Sequence, residues 1–329
     1  MKAIASLTFI LLTVLNVAAA EWVVYEGREG PGQGKHIVLI SGDEEYRSEE
    51  AFPMLGKILS QRHGFKCTVL FPIDRQTGEI NPNEQTNIPG MAAVATADLV
   101  ILALRFRELP DDQMKFFVDY LKAGKPMIAA RTSTHAFQYS RNRQSPYANF
   151  DRRNRDWPGG FGQQLLGETW VNHHGVHNGE SARGVIEGLH MKHPILKGVK
   201  DIWEPSDVYG IVRLPNTAQI LVHGLTLKGM QPDSLPNYDK ALMPMIWLKD
   251  YQLPDGQPGM GLTTTIGAAV DLESEDLRRL FVNAAYWLTG LTGEIPERAD
   301  VSYVGEFKLT HFGFNAFVKG RKPADFELK

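Results

Sequence analysis

Cysteine is all but missing from this chain, with Cys67 alone among 329 residues. A single thiol closes no disulfide within the chain, so the fold must rest on its core, which a protein of this length can build without covalent staples. Cys67 lies in the alternating run Lys66-Cys-Thr-Val-Leu-Phe71, and no glycine-rich turn follows to expose a nucleophile. It reads as a buried strand residue. Charge of one sign is missing too: 35 Lys and Arg against 38 Asp and Glu leave a formal net charge of -3. That is no global field for nucleic acid or an anionic membrane. Beyond Ala20 no apolar run approaches the roughly 20 residues that a spanning helix needs, so stable membrane insertion is not expected. Disorder is excluded as well, because 43% hydrophobic and 22% charged residues are ordinary for a globular domain.

The apolar stretch that does exist lies at the start. Met1-Lys2 is a short basic lead, Ala3 to Val17 is nearly all apolar, and Ala18-Ala19-Ala20 supplies the small residues of a signal-peptidase site. Residues 1–20 are expected to be a cleaved signal, with the mature protein secreted or periplasmic after cutting near Ala20.

From there the sequence alternates strand and helix signals. His36-Ile-Val-Leu-Ile-Ser-Gly42 is a continuous apolar strand, and Phe52, Leu55, Ile58 and Leu59 recur at helical spacing, with Pro53 expected near the first turn and Gly64 as the stop. The Cys67 strand and Ala97-Asp-Leu-Val-Ile-Leu-Ala-Leu104 follow. Asp111-Asp112 then open a helix with Met114, Phe117, Val118 and Leu121 on one face, closed by Gly124. Pro126-Met-Ile-Ala-Ala130 runs into Arg131-Thr-Ser-Thr-His135. Strands with intervening helices predict an α/β fold with a doubly wound parallel sheet, in which ligands bind outside the carboxyl ends of the strands. That rule gathers the loops after Gly42, Leu104 and Ala130, and predicts one pocket lined by Arg47, Arg105, Arg131 and His135, closed by His173 or His174.

The second half is less regular. Tyr139 to Gly162 is a long loop rich in Arg and aromatics, either a lid or a solvated surface. Gly167-Glu-Thr-Trp-Val-Asn-His-His-Gly-Val-His177 holds the densest histidine cluster. Neighbours in an extended chain face opposite ways, so His173 pairs more readily with His177, across the Gly175 bend, than with His174. Asp207 and Tyr209 add a carboxylate and a phenol. Strands are expected at Gln219 to Gly224, Leu242 to Leu248 and Gly259 to Ala269, then a helix capped by Ser274 and ended by Gly290. Residues 294–329, with Tyr303, Phe307, Phe312, Phe314 and Phe317, are too aromatic for a free linker and are expected to dock on the domain formed by residues 21–293.

The runs His36 to Ser48, Ala129 to Phe137, Gly167 to His174, His193-Pro-Ile-Leu196, Asp207-Val-Tyr209, Thr264-Thr-Ile-Gly267 and Asn283-Ala-Ala-Tyr-Trp287, in that order, resemble the ThuA-like trehalose-utilisation family, in particular its secreted planctomycete-type branch. The resemblance spans about Lys35 to Gly293. It implies a flavodoxin-like doubly wound sheet of the class I glutamine amidotransferase-like type. Amidotransferases place a nucleophilic Cys after the fourth strand, where this chain has Arg131, so a glutaminase is excluded. ThuA-like proteins often carry His at that elbow and another near Gly267-Ala268, so Arg131 and Ala268 both depart from the pattern.

The function implied by the resemblance is catabolism of disaccharides or other glycosides through 3-keto intermediates, with a small-molecule carbohydrate as the partner. A C3 ketone acidifies the C2 hydrogen, so the site needs a base, a cation for the enolate and groups for hydroxyls. His135 or His174 would be the base and Arg131 or Arg105 the cation, while Asp43, Glu45, Arg47, Arg105, Asp207 and Tyr209 would bind substrate. Two other readings stay open. One is a non-catalytic carbohydrate-binding or scaffold domain. The other is a metal-assisted hydrolase, with a divalent metal among His173, His174 and His177.

Overall fold

The computed structural model describes residues 20–328, so the expected signal falls almost wholly outside them. None of the described helices is long and apolar enough to cross a membrane. The backbone is organised by one sheet of ten strands: β1 (Trp22–Tyr25), β2 (His36–Gly42), β3 (Lys66–Leu70), β4 (Leu99–Leu104), β5 (Met127–Ala130), β6 (Ala182–Ile186), β7 (Trp203–Glu204), β8 (Gln219–Thr226), β9 (Met243–Tyr251) and β10 (Gly259–Thr264). Their order across the sheet is β1-β3-β2-β4-β5-β10-β9-β8-β6-β7.

The run β3-β2-β4-β5-β10 is parallel. Helices α1 (Ser48–His63), α2 (Asp111–Lys122) and α3 (Glu275–Leu288) cover it. Successive side chains leave a strand on opposite faces: Ile37, Leu39 and Ile101 pack with Leu55, Leu59, Leu277 and Phe281 of α1 and α3, while Val38, Ile40 and Val100 pack with Met114, Phe117 and Leu121 of α2. Covering on both faces is why these strands read as unbroken apolar runs. Gly64, at φ 83, ends α1 by turning its N–H back to Leu59 and Ser60. Pro53 lies inside α1 rather than in its first turn, freeing the carbonyl one turn earlier from its usual donor.

The remainder of the sheet corrects the expectation of a wholly parallel one. Beyond β10 every pairing is antiparallel, through β9, β8, β6 and β7, and β1 is an antiparallel edge on β3. Among the described residues no α-helix lies between β6 and β10, so the chain turns back on itself instead of crossing over. The C-terminal segment lies against the first half of the chain. Thr310 donates from its N–H and its hydroxyl to Glu50, both at 2.7 Å, Gly313 N–H donates to Glu45 O at 2.8 Å, and Phe326 stacks on Phe71.

Cys67 is fully buried on β3, its thiol 3.8 Å from Phe65 O, and burial alone pushes it far above the range in which a thiolate forms. Cys67→Ser is therefore expected to lower stability by about 1–3 kcal/mol, the cost of burying a hydroxyl with no good partner. Urea unfolding checks this, and any activity per folded molecule should be unchanged.

Candidate functional site

The loops that follow β2, β4 and β5 meet at one edge of the sheet. Asp43 Oδ1 accepts from the N–H groups of Glu45 (2.7 Å) and Tyr46 (2.9 Å), and its Oδ2 accepts from the Thr132 hydroxyl at 2.5 Å. One carboxylate thus folds the first loop and pins it to the third. Arg105 N–H donates to Gly42 O, Phe106 N–H to His135 O and Arg107 N–H to Ala136 O, which ties in the second. Each loop carries one large residue with left-handed backbone: Arg47 (φ 62), Phe106 (φ 52) and Arg131 (φ 46). The other described non-glycine residues with positive φ are Asn178, Asp255 and Asn315, types that enter this region readily. Side chains such as Arg and Phe do so at a cost on the order of 1–3 kcal/mol, a strain that gathers at functional sites.

Arg131 is fully buried and carries the centre. Its Nη1 donates to Asp207 O and to Thr265 O, and its Nη2 to the Tyr46 hydroxyl (3.0 Å) and Asp207 Oδ1 (3.2 Å). The guanidinium lies between the rings of Tyr46 and Tyr209, 4.2 and 4.4 Å from their centroids. Asp207 is the hub in front of it. His173 Nδ1 meets Oδ2 at 2.6 Å and His177 Nδ1 meets Oδ1 at 3.0 Å. Burial pushes the Asp207 carboxyl up, but the hydrogen bonds from His173 and His177 and the Arg131 charge outweigh it and hold the group well below the usual carboxylate range. An ionised carboxylate only accepts, so both imidazoles carry a proton on Nδ1. His177 Nε2 then faces Glu45 Oε1 at 3.4 Å, whose carboxyl is raised by burial and by Asp43. His173 Nε2 makes no hydrogen bond within the described chain, and its side chain is 31% exposed while that of Asp207 is fully buried.

A second imidazole stands nearby. His135 packs against Phe106, Trp170 and Tyr209, with ring centroids 5.2, 5.6 and 6.2 Å away, and His173 is 5.8 Å from Trp170 and 5.5 Å from Tyr209. Burial, then the charges of Arg105, Arg152 and Arg131, push His135 well below its ordinary value. It is the neutral base there, able to accept or donate without carrying charge.

The structure thus brings together Arg131, His135, His173, His177, Asp207, Tyr209, Asp43 and Glu45. It does not bring in His174, whose Nε2 turns to Ala241 O at 2.9 Å; with His173 aimed at Asp207, its neighbour must face the other way. Arg131 has its Nη atoms spent on protein acceptors and no exposed surface, so it positions Asp207 rather than offering itself to a ligand. Arg105 sits at the rim, paired to Glu44 at 2.6 Å. Arg47 is aimed away, donating to Glu44 O and Gly313 O. Residues that the sequence did not assign to the site also take part. Trp170 spaces the two imidazoles, and Phe312 closes on Tyr46 and His177 at 5.3 and 5.1 Å from a remote part of the chain.

Arg47 stands 3.6 Å from Glu49, whose carboxylate oxygens make no hydrogen bond. Burial pushes Glu49 up to about 8. A carboxyl raised in this way costs nothing while both states are protonated, and lowers stability as pH rises from the ordinary value of 4.5 to about 8. Glu49→Gln, which cannot ionise, is expected to match the wild type at pH 4.5 and to exceed it by roughly 1–3 kcal/mol at pH 8. Paired urea titrations at the two pH values measure the gap.

Fold and cluster together define an α/β protein with a polar, partly exposed histidine–carboxylate site at the carboxyl edge of its parallel strands, the place where such sheets bind ligands. No protein-family model and no curated protein matches the sequence. Among solved structures, a protein from Bacteroides uniformis described as ThuA-like aligns over 80% of this chain and 95% of its own, at 11% identity and a TM-score of 0.47. A second from Parabacteroides merdae, with the same description, covers 78% and 90% at 15% identity and a TM-score of 0.46.

Proposed function

We propose that this is an extracytoplasmic protein of the ThuA-like type, with a flavodoxin-like parallel half, and that it moves protons on a carbohydrate carrying a ketone, such as a 3-keto glycoside. The observation that supports this most is the His173–Asp207 pair. The carboxylate fixes the proton on Nδ1, Arg131 keeps the carboxylate ionised, and the Nε2 lone pair is left for a substrate hydrogen. With the ketone at C3, Nε2 takes the C2 proton and the C–H electrons pass to the C3 oxygen as an enolate. Return of those electrons re-forms the ketone, makes the C1–C2 double bond and expels the C1 substituent, which leaves with a proton. Reprotonation at C2 from the other face, with His135 as the second acid–base group, would give isomerisation instead. The thiol of Cys67 has no part in either route.

The test is exchange of the C2 hydrogen in deuterated water, followed by NMR, with 3-keto glycosides and their unoxidised parents. Exchange is expected only for the ketones and only with His173 present. Absence of exchange and of cleavage across the ketones, or full exchange in His173→Gln, would falsify the reading.

One observation favours a second reading. Ligand atoms of His173, His177 and Asp207 lie within 4.8 Å of one another, and two imidazoles with a carboxylate suit a divalent transition metal. Such an ion would displace the Nδ1 protons and act as a Lewis acid. Stoichiometric uptake of zinc or manganese in equilibrium dialysis, lost in His177→Ala, would favour it over the proton-transfer reading.

A further inference from the structure

Among the described arginines that are buried or half-buried, Arg152 alone makes no hydrogen bond and no ion pair through its guanidinium. Arg47, Arg105, Arg107, Arg131 and Arg278, by contrast, spend theirs on carboxylates or carbonyls. Arg152 Nε is shut off from solvent without an acceptor, a donor that costs stability unless something bonds it. The group is not loose at a loop tip, because Arg152 N–H is held by Phe137 O and the Asp151 carboxylate by Tyr139 N–H.

What surrounds it belongs to the site described above. The guanidinium lies 4.9 Å from the centroid of the Phe106 ring, Arg105 lies 4.3 Å from the same centroid, and that ring packs on His135. Phe106 holds its place at a left-handed φ of 52. Two like charges therefore share one aromatic surface. On this wall the single carboxylate of Glu44 already serves both Arg105 and Arg107, and the Asp151 carboxylate is taken up by the N–H groups of Tyr139 and Arg153, so no carboxylate bonds the Arg152 guanidinium. Across the cluster, Asp43, Glu45 and Asp207 outnumber Arg131. The edge is polarised, with the proton-accepting histidine on the acidic side and an unmatched guanidinium on the other.

We propose that Arg152, with Arg105 beside it, binds a carboxylate carried by the sugar ligand, so that the substrate class is an acidic sugar such as a hexuronate derivative. Because Nε is closed to solvent, the guanidinium meets a ligand with its two Nη groups, which have no acceptor within the described chain and can hold a carboxylate through two parallel hydrogen bonds. This rests on the reading of the site as carbohydrate-processing, but the test reads binding alone.

The experiment follows the Arg152 Nε–Hε resonance of the 15N-labelled full chain, assigned by its loss in Arg152→Gln, during titration with glucuronate, glucose or inorganic sulfate. Glucuronate is expected to shift it saturably with at least tenfold higher affinity than glucose or sulfate. Arg152→Gln should lose about tenfold in glucuronate affinity, read by calorimetry, at unchanged melting temperature. Equal response to glucose and glucuronate, no response to either, or undiminished affinity in Arg152→Gln overturns the proposal. Sulfate binding as tightly as glucuronate also overturns it, in favour of a free inorganic oxyanion. His173→Gln should still bind glucuronate while losing hydrogen exchange, so failure of the proton-transfer reading leaves this measurement standing.

Discussion

Asp207→Asn is expected to lower turnover about 100- to 10,000-fold and to destabilise the fold by about 3–5 kcal/mol at pH 7. The carboxylate accepts from His173 Nδ1, His177 Nδ1 and Arg131 Nη2 at 2.6, 3.0 and 3.2 Å. An amide offers one oxygen and one NH2, so at least one of those donors would face another donor, and the buried guanidinium would lose its counter-charge. The pH dependence follows from the sign of the shift. The Asp207 carboxyl is lowered on folding, so its contribution is complete above the ordinary value of 3.8 and is lost as pH falls through the folded one. The stability gap between wild type and Asp207→Asn should therefore be full at pH 7 and close progressively below about pH 4. His173→Gln separates the two effects. It removes the proposed base but keeps the Asp207–Arg131 pair, so turnover should fall as far, with a stability loss of only about 1 kcal/mol. Equal stability of Asp207→Asn and wild type at pH 7 would show that the carboxylate is not the hub.

Why the sequence disclosed part of this and not the rest has physical reasons. β2, β4 and β5 were legible because helices bury both their faces, which forces continuous apolar runs. β6 and β7 were not, since one is half-exposed and the other spans only two residues, and neither leaves a pattern of period two. The loops after Gly42, Leu104 and Ala130 were predictable neighbours, because parallel strands deliver their carboxyl ends to one edge. The pairing of His173 with His177 was visible in the Gly175 bend. What escaped was the direction of each charge. An arginine at the end of a buried strand reads as a ligand contact, yet Arg131 is enclosed by Tyr46, Tyr209 and Thr265, which arrive from three separate parts of the chain. Asp207 looked like one hydroxyl-binding group among several, and only the fold shows three donors converging on it. Arg152 sat unmarked among Arg141, Arg143, Arg153 and Arg155. Nothing local distinguishes it, because what sets it apart is a guanidinium that finds no hydrogen-bond partner once the chain is folded.

Arg131→Ala is expected to be less stable than Arg131→Gly, the reverse of the usual order. Both remove the guanidinium and leave Asp207 as a buried carboxylate without its cation, which costs about 3–5 kcal/mol in either variant. They differ in the backbone. At ordinary positions glycine is the worse choice by roughly 0.5–1 kcal/mol, because it loses more conformational freedom on folding. At φ 46 a Cβ is strained and glycine is not, so Ala should carry an added penalty of about 1 kcal/mol. Arg131→Lys tests the other half of the argument. It restores the charge, but one ammonium on a shorter reach cannot meet Asp207 O, Thr265 O, the Tyr46 hydroxyl and Asp207 Oδ1 together, so it should recover less than half of the loss. Chemical denaturation of the three variants decides the matter. If Arg131→Ala proves as stable as Arg131→Gly, the left-handed turn after β5 is not held, and the geometry that aims His173 and His177 at Asp207 goes with it. The ordering Gly above Ala, with Lys only partly restored, would mean that this chain keeps an arginine in a backbone conformation arginine disfavours because four acceptors from three segments hold it there.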